Sequence, residues 1–243
     1  LRSGAGLVRL AIPESLGPIA ESISMETVVD YVAETGEHGI ALAAITDLQR
    51  GCEWADCVVI GPGLGRDPET LQIVKAIVEG TTKPLVIDAD ALFAVSQDPG
   101  MLLKRPTATI ITPHAGEFKR LISKGGDYKP TWQDASKFAK DHAVSVLLKG
   151  APSLIASPAC DVLVNSTGYA GMATAGSGDV LSGVIASLWA QWLDDPDVLG
   201  FAMYIHGKAA DLNRTQKGVL GLIASDIIEA LPLALKEYGG LPR

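Results

Sequence analysis

The sequence predicts an α/β fold with a mostly parallel central sheet, helices on both faces and a β-hairpin at one edge. Two observations lead to this prediction. Short apolar runs alternate with amphipathic stretches of helical length, and the runs are continuous rather than alternating in polarity. Continuous apolar runs are typical of strands that are covered on both faces. Strands that alternate with helices in this way pair in parallel through right-handed crossovers.

The individual elements follow from these runs and from the turn residues between them. The predicted strands are 6–12, 28–32, 57–60, 85–87, 109–112, 145–148, 153–156 and 162–164. The last two are separated by only five residues, so we expect them to form the edge hairpin. The predicted helices cover about 41–50, 68–80, 115–123, 131–142, 179–192, 197–213 and 224–237. Asp67 and Pro68 suit the N-cap and the first turn of the second helix.

The composition indicates a globular chain, which we interpret as a single domain over residues 1–243. Hydrophobic residues make up 47% of the chain and charged residues 20%, which excludes a disordered protein. A formal net charge of −8 argues against general binding to nucleic acid or to an anionic membrane surface. No apolar run approaches the ~18 residues of a membrane span. Cys52, Cys57 and Cys160 form no CxxC pair, which favours a reducing, cytoplasmic location.

The stretch that is most informative about chemistry is the glycine-rich segment 175–179, which leads into an apolar helix. Glycines allow successive N–H groups to face one point, and the helix dipole adds a partial positive charge there. We therefore expect Gly176, Ser177 and Gly178 to hold a phosphate or a developing anion. Asp179 is either a base for a substrate hydroxyl beside this loop or an ordinary helix N-cap.

This loop is one of five motifs through which the chain resembles a known family. The motifs are GPGLG at 61–65, DADAL at 88–92, TPHAGE at 112–117, LKG at 148–150 and GMATAGSGDVLSG at 171–183. In this order they resemble the ADP-dependent NAD(P)H-hydrate dehydratases of the ribokinase-like superfamily. The motifs extend over nearly the whole chain. The GSGD segment alone would indicate only the superfamily, whereas the combination is far more specific.

The resemblance implies a three-layer ribokinase-like fold and a hydro-lyase that repairs the S epimer of hydrated NADH and NADPH. Phosphoryl transfer from ADP, which leaves AMP, would activate the substrate hydroxyl, and phosphate would then depart. It also implies assistance by Mg²⁺, ATP as another possible donor, and a homo-oligomer, with a tetramer as the family form. Two alternatives remain open: a small-molecule kinase, such as a vitamin-precursor kinase, and a protein that binds nucleotide without turnover.

The resemblance also implies roles for individual residues. Asp179 matches the catalytic base and a contact of the hydrated nicotinamide, and Gly176, Ser177 and Gly178 match the anion hole. Two stretches match nucleotide-binding segments. Their residues are Lys149, Gly150, Ala151, Pro152 and Ser153, and Tyr169, Ala170, Gly171, Met172, Ala173, Thr174 and Ala175, the second stretch continuing through the anion hole to Gly178.

Three further residues have a functional and a structural interpretation. Gly63 and His114 match substrate contacts, although a turn and an exposed histidine would explain them equally well by pattern alone. Glu117 matches a position that organises magnesium-bound water in superfamily relatives. A carboxylate in the first turn of a helix, stabilised by the helix dipole, is the competing interpretation of Glu117.

Four polar residues have weaker signals. Asp88 and Asp90 follow a predicted strand and suggest a metal pair, but alternation would point them in opposite directions, so that ligation of one metal by both is not assured. We give Asp88 only a weak supporting role. His206 and Asp211 lie in a late helix, where core packing or contact with the base of the nucleotide are the alternatives. Trp189 and Trp192 are expected in the core.

The first residues bear on the extent of the fold. The chain begins Leu-Arg-Ser-Gly without a methionine or a signal-peptide pattern. Family members carry an earlier strand and a glycine-containing loop with one substrate contact. We therefore expect the chain shown to lack that strand and that contact.

Overall fold

The computed structural model describes residues 1–159, 162–192 and 197–238. In these residues the strands are β1 Arg9–Pro13, β2 Val28–Val32, β3 Val58–Ile60, β4 Leu85–Ile87, β5 Thr109–Ile111, β6 Ser145–Leu148, β7 Leu154–Ala156 and β8 Leu163–Val164. The helices are α1 Gly17–Ile23, α2 Ile45–Trp54, α3 Pro68–Gly80, α4 Ala89–Gln97, α5 Ala115–Leu121, α6 Trp132–His142, α7 Ser177–Gln191, α8 Val198–Lys217 and α9 Ala224–Glu237.

The main sheet has six strands in the order β3-β4-β5-β6-β7-β8 within the described residues. Neighbouring strands from β3 to β6 are parallel, and β7 pairs antiparallel with both β6 and β8. The predicted parallel sheet and edge hairpin are therefore confirmed. The carboxyl ends of the four parallel strands lie along one edge of the sheet, which is where open α/β sheets bind ligands.

Helices cover both faces of this sheet and make three layers. Leu85 and Ile87 of β4 pack into one core with α3, α4, α5 and α6, while Val86 between them packs into the other core with α7, α8 and α9. This alternation explains why the β4 run is apolar throughout: each face of the strand meets its own helix layer. Trp189 is buried in the second core and Trp192 packs against it, as predicted.

The first two strands form a separate parallel pair outside the main sheet. Strand β1 begins at Arg9, three residues after the predicted start. Val32 and Ile40 pack with Ile73 and Ile77 of α3 in a third, small core. Several apolar side chains around this pair of strands are exposed to solvent, and Met25 is 90% exposed.

Several helix predictions were wrong in detail. Helices α1 and α4 were not predicted, the helix expected over 41–50 is a 3-10 turn followed by α2, and α7 begins at Ser177, two residues early. The α4 sequence has only nine residues, and its three polar ones, Asp90, Ser96 and Gln97, give a weak helical period. Cys52 and Cys57 are free thiols, whereas Cys160 lies outside the described residues. No helix of the described part is long and apolar enough to cross a membrane.

Candidate active site

The anion loop lies at the start of α7, at the carboxyl edge of the sheet. Gly176 caps the helix with a φ of +81°, a conformation that favours glycine. Ser177, Gly178 and Asp179 are the first three helical residues, so their N–H groups have no acceptor within the helix, although the Ser177 N–H donates to the Thr174 carbonyl at 3.3 Å. The sequence prediction of an anion site at the start of a helix fits this geometry.

A buried ion pair lies directly beside this loop. The Nζ atom of Lys149 donates to Oδ1 of Asp88 at 2.7 Å, and the Asp88 side chain is 1% exposed. The hydroxyl of Ser182, one turn into α7, donates to Oδ2 of Asp88 at 2.7 Å. A Cβ atom on Gly178 would lie 3.3 Å from Nζ of Lys149, so the ammonium group touches the anion loop.

The position of Asp88 depends on the turn after β4. Asp88 is the N-cap of α4, and its Oδ1 atom accepts from the N–H of Ala89 at 2.8 Å. Ala89 has a φ of +48°, a strained conformation for a residue with a Cβ atom, and such strain concentrates at functional sites. Gly61 leaves room for this turn, because a Cβ atom there would lie 1.7 Å from the Asp88 carbonyl oxygen.

The carboxyl group of Asp179 is electrostatically tuned by these neighbours. Burial raises the pKa of Asp179 above its ordinary value, and the negative charge of Asp88 raises it further. The positive charge of Lys149 acts in the opposite direction. A carboxylate with a raised pKa is a stronger base than an ordinary one, which suits proton abstraction from a hydroxyl.

Helix α8 contacts the anion loop through His206, which hydrogen-bonds with the Ser177 backbone. His206 is 6% exposed, and its Nε2 atom has no hydrogen-bond partner among the described residues. Burial lowers the pKa of His206 to about 4, although a hydrogen bond with the Ser177 backbone opposes this shift. His206 is therefore a neutral imidazole under the first residue of α7. Of the two predicted alternatives for this residue, the structure favours packing within the core.

The stretch before the anion loop is fastened to the same helix. The N–H of Gly168 donates to Oδ2 of Asp211 at 3.0 Å, and the hydroxyl of Thr167 donates to the Tyr204 carbonyl at 2.9 Å. The predicted nucleotide residues Ala170, Gly171 and Met172 form a 3-10 turn, and Ala173, Thr174 and Ala175 follow it to the helix. The hydroxyl of Tyr169 donates to the Gly218 carbonyl at 3.1 Å. Helix α8 and its C-cap residue Gly218 thus hold the beginning of this loop.

The other predicted nucleotide stretch connects β6 to β7. Its backbone begins beside β5, because the N–H of Lys149 donates to the Pro113 carbonyl at 2.8 Å. Gly150 and Ser153 close the turn, with the Gly150 N–H donating to the Ser153 hydroxyl at 3.2 Å. Ala151 and Pro152 lie at its exposed tip. The turn therefore projects from the same sheet edge as the anion loop.

The predicted substrate contacts lie on the neighbouring strand ends. Gly63 has a φ of +69° in the exposed turn after β3, with open space where a Cβ atom would be. His114 is the N-cap of α5, and its Nδ1 atom accepts from the N–H groups of Gly116 and Glu117 at 2.9 and 3.3 Å. Since Nδ1 is an acceptor, the proton of a neutral His114 ring is on Nε2, and the side chain is 60% exposed.

Glu117 has the local role that was the alternative to metal binding. Its Oε2 atom accepts from the His114 N–H at 2.8 Å, which completes a capping box. The described residues contain no cluster of three or more His, Cys, Asp or Glu side chains suited to a metal ion. A single carboxylate still fits Mg²⁺, which usually keeps several waters and takes its other ligands from substrate phosphates.

Asp88 and Asp90 do point in different directions, but for another reason than strand alternation. Both lie at the start of α4. Asp88 faces Lys149, while Asp90 accepts from the Gly65 N–H at 3.1 Å and pairs with Arg66 at 3.2 Å. Asp88, for which the sequence predicted only a weak supporting role, thus contacts both Lys149 and Ser182. Ser182 was not predicted as a site residue, and His206 was given a nucleotide contact as one of two alternatives; only their polarity within apolar helices could have indicated more.

The fold and this site define a class of protein. A crystal structure of a ribokinase-like superfamily protein from Enterococcus faecalis V583 superposes with a TM-score of 0.81, at 26% identity, and covers 99% of this chain and 80% of that one. The ADP/ATP-dependent NAD(P)H-hydrate dehydratase of Bacillus subtilis, co-crystallized with ATP/Mg²⁺, gives a TM-score of 0.78 at 25% identity, over 98% of this chain and 81% of that one. The predicted ribokinase-like fold is confirmed.

Sequence comparison narrows the class to a family. A sequence model of NAD(P)H-hydrate dehydratases matches residues 1–233, and the chain belongs to this family. It is 37% identical over 238 residues to the bifunctional NAD(P)H-hydrate repair enzyme Nnr of Moorella thermoacetica, which covers 97% of this chain and 45% of the relative. The chain thus spans about half the length of the curated relatives that it matches.

Proposed function

We propose that this protein dehydrates hydrated NADH and NADPH in a reaction driven by an adenine nucleotide, with ADP giving AMP and phosphate. The observation that supports this most directly is the arrangement at the start of α7. There a glycine-rich anion loop and the half-buried ammonium group of Lys149 lie beside a carboxylate with a raised pKa. Family membership indicates the substrate class.

The anion loop and Lys149 would act on the transferring phosphoryl group. The N–H groups of Gly176, Ser177 and Gly178 can stabilise the negative charge that spreads over its oxygens. Lys149 has three N–H donors, of which Asp88 takes one, and within the described residues the others remain for nucleotide phosphates. In this proposal the stretches 149–153 and 169–178 bind the nucleotide.

Asp179 would act as the base. It takes the proton from the substrate hydroxyl, whose oxygen then bonds to the terminal phosphorus of ADP as the bond to AMP breaks. The substrate then loses phosphate together with a ring proton, which restores the double bond of NAD(P)H. This route replaces hydroxide, a poor leaving group, with phosphate, a good one.

Gly63 and His114 would contact the hydrated cofactor. Gly63 offers an exposed backbone without a side chain, and His114 offers an imidazole that is 60% exposed, with its Nε2 atom 3.5 Å from Oε1 of Glu117. Glu117 would hold Mg²⁺ through water. The bound ion would neutralise charge on the nucleotide phosphates during transfer.

Two finer expectations also belong to the proposal. We expect a homo-oligomer, with the tetramer that the family resemblance implies, and a cytoplasmic location. Size-exclusion chromatography with light scattering measures the first directly. A monomer at assay concentration would contradict it.

The test of the proposed function is an absorbance assay for NADH regenerated from its hydrate, with ADP or ATP and with or without Mg²⁺. We expect nucleotide-dependent recovery together with phosphate release. Recovery with only one nucleotide would also identify the donor. Nucleotide binding without recovery, followed by a stable phosphorylated product with another hydroxyl compound, would instead indicate a kinase.

A further inference from the structure

We propose that Asp88 is a positioning residue that fixes the Lys149 ammonium group beside the anion loop and sets the electrostatic field at Asp179. The proposal rests on the function proposed above and adds a residue and a role to it. It follows from the hydrogen bonds of one carboxylate that joins three separate elements.

The first step concerns what Asp88 connects. Its Oδ1 atom accepts from Lys149 at the end of β6 and from the N–H of Ala89 in α4, and its Oδ2 atom accepts from Ser182 in α7. Both oxygens are therefore occupied, and at 1% exposure the carboxylate is shielded from water. A buried carboxylate held from three directions has little freedom to move, which makes it a fixed reference point for its partners.

The second step concerns Lys149. A lysine side chain is flexible, and its ammonium group would otherwise sample many positions in solvent. Here it is held 2.7 Å from Asp88 and next to Gly178. An ammonium group fixed at this point meets any phosphoryl group that binds the first turn of α7 and spends less conformational entropy on binding it.

The third step concerns Asp179, the charged group on the same turn of α7. Among the described residues, the charged groups that act on it are Asp88 at the start of α4 and Lys149 directly after β6. From α8, the neutral His206 lies beside Ser177 and Lys149. Helix α9 presents Ala224 to Gly176, and its Asp226 is paired with Lys217 at 3.1 Å. Asp88 and Lys149 therefore dominate the charge around Asp179, and they act on it in opposite directions.

Asp88 and Lys149 shift the pKa of Asp179 in opposite directions. This difference gives a test that distinguishes an electrostatic role of Asp88 from a purely structural one. The value of kcat/KM for dehydration is measured as a function of pH for the full chain. The acidic limb of this pH profile reports protonation of the base. In D88N, loss of the negative charge should move this limb to lower pH. In K149M, loss of the positive charge should move it to higher pH. S182A removes a hydrogen bond but no charge, so its limb should stay in place.

A second readout does not require turnover. Calorimetric titration with ADP should show about tenfold weaker binding in D88N, because Lys149 loses its charged partner and its fixed position. S182A should weaken ADP binding much less. If the wild-type chain shows no dehydration, the proposed function fails, whereas these ADP affinities still decide the role of Asp88.

The double variant D88N/K149M keeps the test valid if D88N alone does not fold. Removing both charges avoids an unpaired buried charge, which is the costly outcome of the single substitutions. The acidic limb of the double variant should lie at lower pH than that of K149M, because the two variants differ only in the negative charge of Asp88. An unshifted limb in D88N, or in the double variant relative to K149M, would overturn the proposal.

Discussion

The two halves of the candidate site are built differently. The nucleotide half contains Asp88, Ser177, Ser182 and His206, all nearly inaccessible to solvent, and contacts between α4, β6, α7 and α8 hold it together. The substrate half consists of an exposed glycine turn and the exposed His114 side chain, held by hydrogen bonds within its own capping box. The first half depends on tertiary structure, and the second on local turns.

This difference matches the different demands that phosphoryl transfer and substrate binding would place on the two halves. Phosphoryl transfer needs fixed charges and dipoles, because reorganising them during the reaction would cost rate. The nucleotide half is organised in this way by its own ion pair and hydrogen bonds. The substrate half offers few fixed contacts. In the proposed reaction, binding of the hydrated cofactor would therefore have to order the residues of this half. Four predictions test this comparison, from the largest expected effect to the smallest.

The largest effect is expected at the turn that supports the nucleotide half. Gly61→Ala would force a Cβ atom to within 1.7 Å of the Asp88 carbonyl at a φ of +131°. We expect a loss of about 3 kcal/mol or more in unfolding free energy. Gly65→Ala is the matched control, since its φ is +73° but its Cβ atom would meet open space, and it should cost only about 1 kcal/mol. Urea unfolding of both variants measures the difference, and equal losses would contradict the account.

The next effect concerns the base. Asp179→Asn should lower kcat by about 100-fold or more, since a general base contributes on that scale, and leave ADP affinity largely intact. Asp134→Asn is the matched control, because Asp134 is also the third residue of its helix and is remote from α7. Near-wild-type turnover of Asp179→Asn would remove Asp179 from the mechanism.

A pH effect on stability is expected from His206. Its pKa in the folded protein is about 4, below the ordinary value of 6.5, so the unfolded chain binds a proton that the folded chain does not. Stability should therefore fall as the pH drops from about 6.5 toward 4, by at most about 1.4 kcal/mol per pH unit. His206→Gln should flatten this dependence in chemical unfolding, whereas His38→Gln, at an exposed histidine, should not. An unchanged slope in His206→Gln would refute the buried neutral imidazole.

The smallest effect is expected in the substrate half. His114→Asn retains a side-chain acceptor at the N-cap and should preserve stability while it removes the imidazole. We expect KM for the hydrated cofactor to rise several-fold, on the scale of one lost hydrogen bond, with KM for ADP unchanged. Steady-state kinetics with each substrate varied in turn make this comparison. An equal rise in both values would show that the two halves are not independent.

The sequence predicted the layers and much of the site because those signals are local. Asp67 and Pro68 marked the start of α3, and the Asp67 side chain does accept from the Glu69 N–H at 2.8 Å. The continuous run at β4 predicted a strand covered on both faces, and both helix layers pack against it. The glycine-rich segment was placed at the start of a helix through backbone properties of glycine that do not depend on distant residues.

The remaining features depend on contacts far apart in the chain. Asp88 meets Lys149 across 61 positions and Ser182 across 94, and no local pattern connects them. Strand alternation gave the wrong reason for the different directions of Asp88 and Asp90, because α4 begins directly after Asp88. In the sequence, His206 looks like an ordinary polar residue of a helix. Its burial follows only from the packing of α7 against α8. Long-range pairing therefore limited the prediction of the nucleotide half.

The most direct test of the central claim is the stoichiometry of a single turnover with limiting hydrated NADH, ADP and Mg²⁺. Phosphate, AMP and regenerated NADH are measured in the same quenched samples. The account predicts that all three are formed in equal amounts. Consumption of ADP with accumulation of a stable phosphorylated product and no NADH would contradict it.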